Sequence, residues 1–163
     1  MKVLFLCTDN FTRSVTAEYC MKHFLKQNNI TNIIVASAGF KANSDLSSFS
    51  DIHFDRMRQL NIRTEGFSRT QFHQKLIGEF DVIIGMGKEH RDYILQEYNE
   101  KIYLFNEIYK GDESSLTVPP PDQNGNYLVK ITDMVDYINE AIPLLVRNLN
   151  RILHYKKERF PSK

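Results

Sequence analysis

The sequence predicts an α/β fold, a four-stranded parallel sheet between two layers of helices. Short apolar runs, typical of strands buried on both faces, recur along the chain, and amphipathic helical patterns separate them. Strands that alternate with helices form right-handed βαβ units, which place the strands parallel in one sheet. A chain of 163 residues is long enough for one such domain. We therefore predict a single domain over residues 1–163.

The elements follow in order. The candidate strands are residues 2–6, 33–36, 80–85 and 102–105, and the helical patterns are residues 15–26, 51–60, 88–98 and 132–155. Pro143 is expected to kink or split the last helix, because proline removes a backbone hydrogen bond. Residues 111–126 form a long irregular stretch with three prolines, which is typical of a functional or mobile loop. The basic tail from about residue 156 is expected to be frayed.

Composition excludes several classes of protein. The net charge is +1, so charge does not favour nucleic-acid binding. No apolar run approaches the roughly 20 residues of a membrane span, and the first ten residues fit a strand better than a signal peptide. Cys7 and Cys20 are the two cysteines, too few for a disulfide framework, which favours the cytoplasm. The five histidines lack metal-ligand spacing, so a metal site is not expected.

Chemistry concentrates in residues 7–14, which leave the first strand and open a helix; we call this segment the cradle loop. Backbone N–H groups at such a junction converge on an anion, and they are expected to lower the pKa of Cys7 below about 8.5. Arg13 can hold two phosphate oxygens with its planar guanidinium, and Ser14 can donate to the sulfur. These parts suit phosphoryl transfer through a phosphocysteine. The residues expected around the phosphate are Thr8, Asp9, Asn10, Phe11, Thr12, Arg13 and Ser14.

The C-x5-R spacing alone also fits a core cysteine with an unrelated surface arginine. The wider sequence carries more. Residues 3–14, VLFLCTDNFTRS, with Ala17-Glu18, resemble the V-L-F-V-C-x-G-N-x-C-R-S-x-x-A-E signature of the low-molecular-weight protein tyrosine phosphatases, in the arsenate reductase-like superfamily. Further matches to that family, in order, are residues 37–39 (S-A-G), 61–69 (G-I…R-x-R), 80–86 (F-D-x-I-x-x-M) and 118–121 (V-P-D-P).

The resemblance implies roles for individual residues. Cys7 would be the nucleophile, Arg13 the phosphate clamp and Ser14 the group that stabilises the thiolate. Asn10 would hold the shape of the loop, with Ser37 bracing it. The implied activity is hydrolysis of phosphotyrosine proteins or small aryl phosphates through a phosphocysteine, without a cofactor. Phosphate or sulfate is expected to bind in the loop.

The sequence departs from the family at functional positions. Asp9 stands where the family has glycine, and Thr12 replaces a cysteine that forms a protective disulfide in many members. Gly66 lies near an expected histidine, and Gly87 replaces an aspartate. Pro120 falls where V-P-D-P carries the general acid.

The proton donor therefore has to be sought at another residue. Asp122 is the nearest replacement, but two residues of extended chain span about 6–7 Å, so it needs a different loop path. It also fits a simple turn residue, since residues 121–125 have turn chemistry. Losing a general acid costs about 10²–10⁴ in rate, so weakened activity is expected.

Other features have two interpretations. Tyr103, Phe105 and Tyr109 form either core packing or an aromatic wall for a substrate ring, and Cys20 is expected in the core. Two further functions stay open. A non-catalytic phosphate or phosphotyrosine binder would keep the cradle loop and lose the acid. An arsenate reductase would need a cysteine relay, for which Cys20 is poorly placed.

Overall fold

A computed structural model describes residues 1–44, 50–118 and 126–159, with side chains to residue 154. The elements in chain order are β1 (Lys2–Cys7), α1 (Arg13–Gln27), β2 (Ile34–Gly39), α2 (Ile52–Gln59), α3 (Lys75–Glu79), β3 (Val82–Gly85), α4 (Lys88–Tyr98), β4 (Tyr103–Leu104), α5 (Phe105–Lys110) and α6 (Asn126–Arg159).

The four strands form one parallel sheet in the order β2-β1-β3-β4. The predicted fold class is confirmed. The strand order reverses between β1 and β3, because the chain leaves β1 for β2 on one side and later returns to β3 on the other. Ligands of such sheets bind beyond the carboxyl ends of the strands at this reversal. Cys7 ends β1 at that point.

Alternation along β1 divides the core into two layers. Val3 and Phe5 face the cluster that contains α1, α5 and α6, and Leu4 and Leu6 face the cluster that contains α3 and α4. All four side chains are buried, since helices cover both faces of the sheet. The strand is thus fixed from both sides, and so is the position of the residue that follows it.

Two short helices escape prediction from the sequence. α5 begins at Phe105, which the sequence assigns to the fourth strand, and α3 has only five residues. Helices this short carry too few turns for a clear period of 3.6 residues.

The last helix is longer than predicted, and of the two effects expected from Pro143, a kink or a split, the split is absent. α6 begins at Asn126 and passes Pro143 without splitting. The proline is exposed, whereas Ile142 and Leu145 beside it are buried. Packing of that apolar face offsets the hydrogen bond that Pro143 cannot make. The helical backbone extends to Arg159, beyond the expected start of the frayed tail, and residues 160–163 lie outside the described ranges.

The long helix α6 is amphipathic rather than apolar all round. Within the described ranges, no helix has the length and apolar character needed to cross a lipid bilayer.

Candidate active site

The cradle loop turns its amide groups inward because its carbonyl groups are held from outside. The carbonyl oxygen of Thr8 accepts from Lys41 N (2.7 Å), that of Asp9 from Arg69 Nε (2.8 Å), and that of Phe11 from His53 Nε2 (2.8 Å). A trans peptide points its N–H opposite to its carbonyl. The next amide after each outward carbonyl therefore faces the interior of the loop, as an anion site requires.

Cys7 lies at the base of this loop and is fully buried. Its Sγ is 2.9 Å from Ser14 Oγ, and Asn10 N donates to it at 3.3 Å. The structure thus places Ser14 where a hydroxyl can stabilise the thiolate.

The pKa of Cys7 is shifted in the direction opposite to the expectation. Burial raises the pKa of the thiol, and the nearby Asp9 carboxylate raises it further, while the Ser14 hydrogen bond and Arg13 lower it. The expected low pKa is therefore wrong for the loop in this arrangement. Helix and amide donors alone supported that expectation, which left out the cost of burying a thiolate and of placing a second negative charge beside Asp9.

Asn10 holds the bend of the loop. Its φ of 53° lies in the left-handed region, which asparagine tolerates better than most residues. Its side-chain nitrogen donates to Ser14 Oγ (3.1 Å) and Ser37 Oγ (2.8 Å), and its side-chain oxygen accepts from Thr70 N (2.7 Å). The structure therefore places Asn10 and Ser37 in the supporting positions that the resemblance implies.

Gly39 lets the second strand approach the loop. A Cβ at this position would lie 2.5 Å from Asn10 N and 2.8 Å from Thr8 O. Real Cβ atoms do not approach backbone so closely, so any side chain at residue 39 would push the loop away. The S-A-G segment thus braces the loop through Ser37 and leaves room for the loop backbone at Gly39.

Asp9 points its carboxylate into the cradle loop. Its Oδ1 accepts from Phe11 N at 3.1 Å and lies 3.6 Å from Cys7 Sγ. The backbone of Asp9 is outside the left-handed region, so this position does not require the glycine of the family. The carboxylate takes an amide that would otherwise face a phosphate, and its charge opposes a bound dianion.

Arg13 opens α1 beside the loop, and one nitrogen makes both of its hydrogen bonds among the described residues. Nη1 donates to Glu89 Oε1 at 3.0 Å and to the carbonyl of Leu116 at 3.2 Å. Glu89 lies at the start of α4, and Leu116 lies in the segment that follows α5. Arg13 therefore connects the cradle loop with two other elements at this edge of the sheet.

An aromatic rim, which was not predicted from the sequence, lies beside the loop. The Phe11 ring contacts His53, Phe54 and Phe67, with centroids 5.1, 5.5 and 5.9 Å away. Tyr127, at the start of α6, is near enough for the Asp9 charge to add to the effect of burial in raising its pKa. The aromatic character of residue 11, inside the motif itself, was the available signal.

The aromatic residues singled out from the sequence have a packing role. Phe105 is fully buried, and its ring and that of Tyr109 both pack on Tyr137 of α6. Tyr103 is half-buried against the same core cluster. Of the two interpretations, the structure supports packing. Cys20 is buried in this cluster as well.

His90 is a second residue that the sequence did not reveal. Its Nδ1 accepts from Gly87 N at 3.0 Å, so Nε2 carries the hydrogen and donates to Thr8 Oγ1 at 3.2 Å. Burial lowers the pKa of His90 to about 4. This neutral imidazole joins α4 to the cradle loop.

Four further positions singled out from the sequence have different outcomes. Thr12 directs its carbonyl to Thr16 N at 3.0 Å, within the first turn of α1. Gly66 has a φ of 83°, which favours glycine at this turn. Pro120 and Asp122 lie outside the described residues.

A parallel sheet, a buried cysteine at the strand-order reversal and inward-facing amides together define an α/β protein built for phosphate chemistry on a cysteine. The family model for "Low molecular weight phosphotyrosine protein phosphatase" matches residues 2–154. The chain belongs to this family, as its motifs indicated, and it is a protein tyrosine phosphatase, a phosphoric monoester hydrolase.

Solved structures share the fold at low sequence identity. A low molecular weight protein tyrosine phosphatase from Bacillus subtilis is 21% identical, with a TM-score of 0.76 over 93% of this chain and 98% of its own. The YwlE arginine phosphatase from Geobacillus stearothermophilus is 18% identical, with a TM-score of 0.71 over 99% and 98%. Vibrio vulnificus Wzb in complex with benzylphosphonate is 24% identical, with a TM-score of 0.65 over 86% and 94%. Curated protein sequences give no match.

Proposed function

We propose that this chain hydrolyses phosphotyrosine and other aryl phosphates in the cytoplasm through a phosphocysteine on Cys7, more slowly than a family member with a complete site. The observation that carries the proposal is the 2.9 Å contact between Cys7 Sγ and Ser14 Oγ inside a loop of inward-facing amides. Sγ attacks phosphorus, and the bond from phosphorus to the phenolic oxygen breaks. Water then cleaves the phosphocysteine, which releases phosphate and restores the thiol group.

The rim supports an aryl substrate. Phe11, Phe54 and Phe67 form ring-to-ring contacts beside the loop, and a substrate ring can pack against such a surface. The benzylphosphonate in the Wzb complex carries an aromatic ring and a phosphonate, as an aryl phosphate carries a ring and a phosphate. An arginine phosphatase is among the structural neighbours, so phosphoarginine is the alternative substrate against which phosphotyrosine should be compared.

The slow hydrolysis that we propose follows from the negative charge of Asp9. Asp9 opposes both the thiolate and a dianion, so productive binding has to displace its carboxylate from Phe11 N. The same observation favours the second candidate function, a phosphate or phosphotyrosine binder that does not turn over.

An aryl phosphate assay separates the two functions. The wild type is expected to release nitrophenol, and Cys7→Ser is expected to abolish turnover, because a hydroxyl is a far weaker nucleophile than a thiolate. Arg13→Lys is expected to be severe, since an ammonium cannot form the planar fork. Cys20→Ser is the matched control and keeps its activity. A wild type that binds phosphate and releases no product would leave the binder as the function.

The proton donor needs its own test, and Asp122 is our candidate. Asp122→Asn is expected to slow phenols with a pKa near 10 far more than nitrophenols near 7, because a poor leaving group needs a proton as its bond breaks. The basic limb of the pH–rate profile is expected to disappear with the acid. Equal rates for wild type and variant on both substrates would exclude Asp122.

A further inference from the structure

Glu89 holds Arg13 by one end of its guanidinium. Both hydrogen bonds of Arg13 use Nη1, one to Glu89 Oε1 and one to the carbonyl of Leu116. Among the described residues, Nε and Nη2 make no hydrogen bond. These two nitrogens form the edge of the guanidinium that can donate two parallel bonds to a phosphate. The contacts at Nη1 therefore anchor the side chain without consuming its phosphate-binding edge.

The Glu89 carboxylate fills the space that a side chain at residue 87 would need. A Cβ built on Gly87 would lie 2.3 Å from Glu89 Oε2 and 2.6 Å from Oε1. Gly87 has a φ of −144°, an extended conformation open to any residue, so its backbone does not demand glycine. A side chain at residue 87 would instead have to displace the Glu89 carboxylate from its present position.

The position of Glu89 bears on Gly87, one of the departures from the family pattern. The family pattern has aspartate at residue 87, where this chain has glycine, and Glu89 brings a carboxylate to this region from two residues further along. The Cβ of a side chain at residue 87 would lie where the Glu89 carboxylate now lies, so the two side chains compete for one region.

We propose that Glu89 is the positioning residue for Arg13 in this chain, taking over from a carboxylate at residue 87. This inference rests on the proposed function, because Arg13 is positioned for a phosphate. Glu89 does not touch the phosphate; it acts through the orientation of the guanidinium.

A competing role would have the opposite sign. A carboxylate beside Arg13 could simply compete with phosphate for the guanidinium. Removing a positioning residue weakens phosphate binding, whereas removing a competitor strengthens it.

The test uses binding and turnover together. Calorimetric titration of inorganic phosphate is made in the Cys7→Ser background, where no chemistry occurs, and steady-state kinetics with an aryl phosphate are made in the wild-type background. Glu89→Ala is expected to weaken phosphate binding about tenfold and to raise KM more than it lowers kcat. Glu89→Gln keeps an acceptor without the charge and is expected to fall between. Glu97→Ala, on the same helix and exposed, is the control and changes neither quantity.

The decisive experiment is rescue of phosphate binding by a carboxylate at residue 87. Gly87→Asp in the Glu89→Ala background is expected to restore phosphate affinity to within about threefold of the parent, because the space is then empty and a carboxylate returns to it. Gly87→Asp alone is expected to weaken binding, because two carboxylates then meet in one place.

The outcomes separate the two proposals. Unchanged or tighter phosphate binding in Glu89→Ala, or a folded double variant that binds no better than Glu89→Ala, overturns the role of Glu89. Normal phosphate binding without turnover overturns the proposed hydrolysis and leaves the role of Glu89 intact. A parent protein that binds no phosphate overturns both.

Discussion

The cradle loop and residues 111–118 lie at the same edge of the sheet, but they are fixed by different means. The loop is held through its own carbonyls by three separate segments of the chain, at Lys41, His53 and Arg69. Residues 111–118 contain no helix or strand and are anchored around Leu116, whose N–H donates to the carbonyl of Met86 at 2.8 Å. Cys7 therefore has a defined place before a ligand arrives. The segment that leads toward Asp122 has no helix or strand of its own and is held by separate contacts at Ser114, Ser115 and Leu116.

The largest expected effect comes from breaking the fixed region at Gly39. Gly39→Ala would place a Cβ against Asn10 N and Thr8 O, so the loop has to move. We expect kcat/KM for an aryl phosphate to fall by about 10² or more, because a displacement near 1 Å spoils the alignment of the nucleophile. Gly78→Ala is the control, since a Cβ there meets no atom within 4 Å. Equal activity in the two variants would show that the loop is not rigidly supported.

A second prediction concerns acid stability. Burial lowers the pKa of His53 to about 4, well below its ordinary 6.5. Between these values the unfolded chain binds a proton that the folded protein does not, so the free energy of unfolding falls as the pH falls. At pH 5 this costs about 2 kcal/mol relative to pH 7, and His90 adds an effect of the same sign.

Urea unfolding at the two pH values tests this. His53→Gln is expected to be less stable than wild type at pH 7, where it loses buried packing, and to lose less stability on acidification. The exposed His73→Gln is expected to keep the wild-type difference. A wild-type pH dependence in His53→Gln would mean that His53 is not the group that senses acid beside the loop.

A smaller, opposite effect is expected at Asp9. Asp9→Gly removes the charge that raises the pKa of Cys7 and frees Phe11 N for a ligand. We expect phosphate inhibition about tenfold tighter and a lower thiol pKa, so the acid limb of the rate profile moves to lower pH. Thiolate ultraviolet absorbance, referenced to Cys7→Ser, measures the pKa directly. A pKa that does not fall would contradict the inward placement of the carboxylate.

The smallest effect is expected in residues 111–118. Ser115→Ala removes the acceptor for Lys88 N, a 2.9 Å contact with the start of α4. We expect a stability loss of about 1 kcal/mol by urea unfolding and a change in kcat/KM within about threefold. If Ser115→Ala were as damaging as Gly39→Ala, the contrast between the two regions would not hold.

Sequence reasoning reached the sheet and the position of the cysteine because both follow from local patterns. A buried strand that ends at Cys7 and feeds a helix is visible in one short stretch. The direction of the Cys7 pKa was missed because it depends on how deeply the thiol is buried and on where the Asp9 side chain points, and no spacing records either. Glu89 was missed for a related reason: its link to Arg13 spans 76 residues and arises only when β3 and β1 pair. α5 and the continuity of α6 depend on packing as well.

The thiol chemistry of the chain has a consequence under oxidative conditions. Position 12, occupied by cysteine in the family, is threonine, and Cys20 is buried with its pKa raised to about 12, mainly by that burial. Peroxide converts a reactive thiolate to a sulfenic acid, which is rescued when a neighbouring thiolate traps it as a disulfide. Cys20 stays protonated at neutral pH and cannot serve as that partner. An oxidised Cys7 thus depends on a thiol from outside the molecule, and burial and the Asp9 charge, which raise the pKa of Cys7, keep the resting sulfur less open to oxidation.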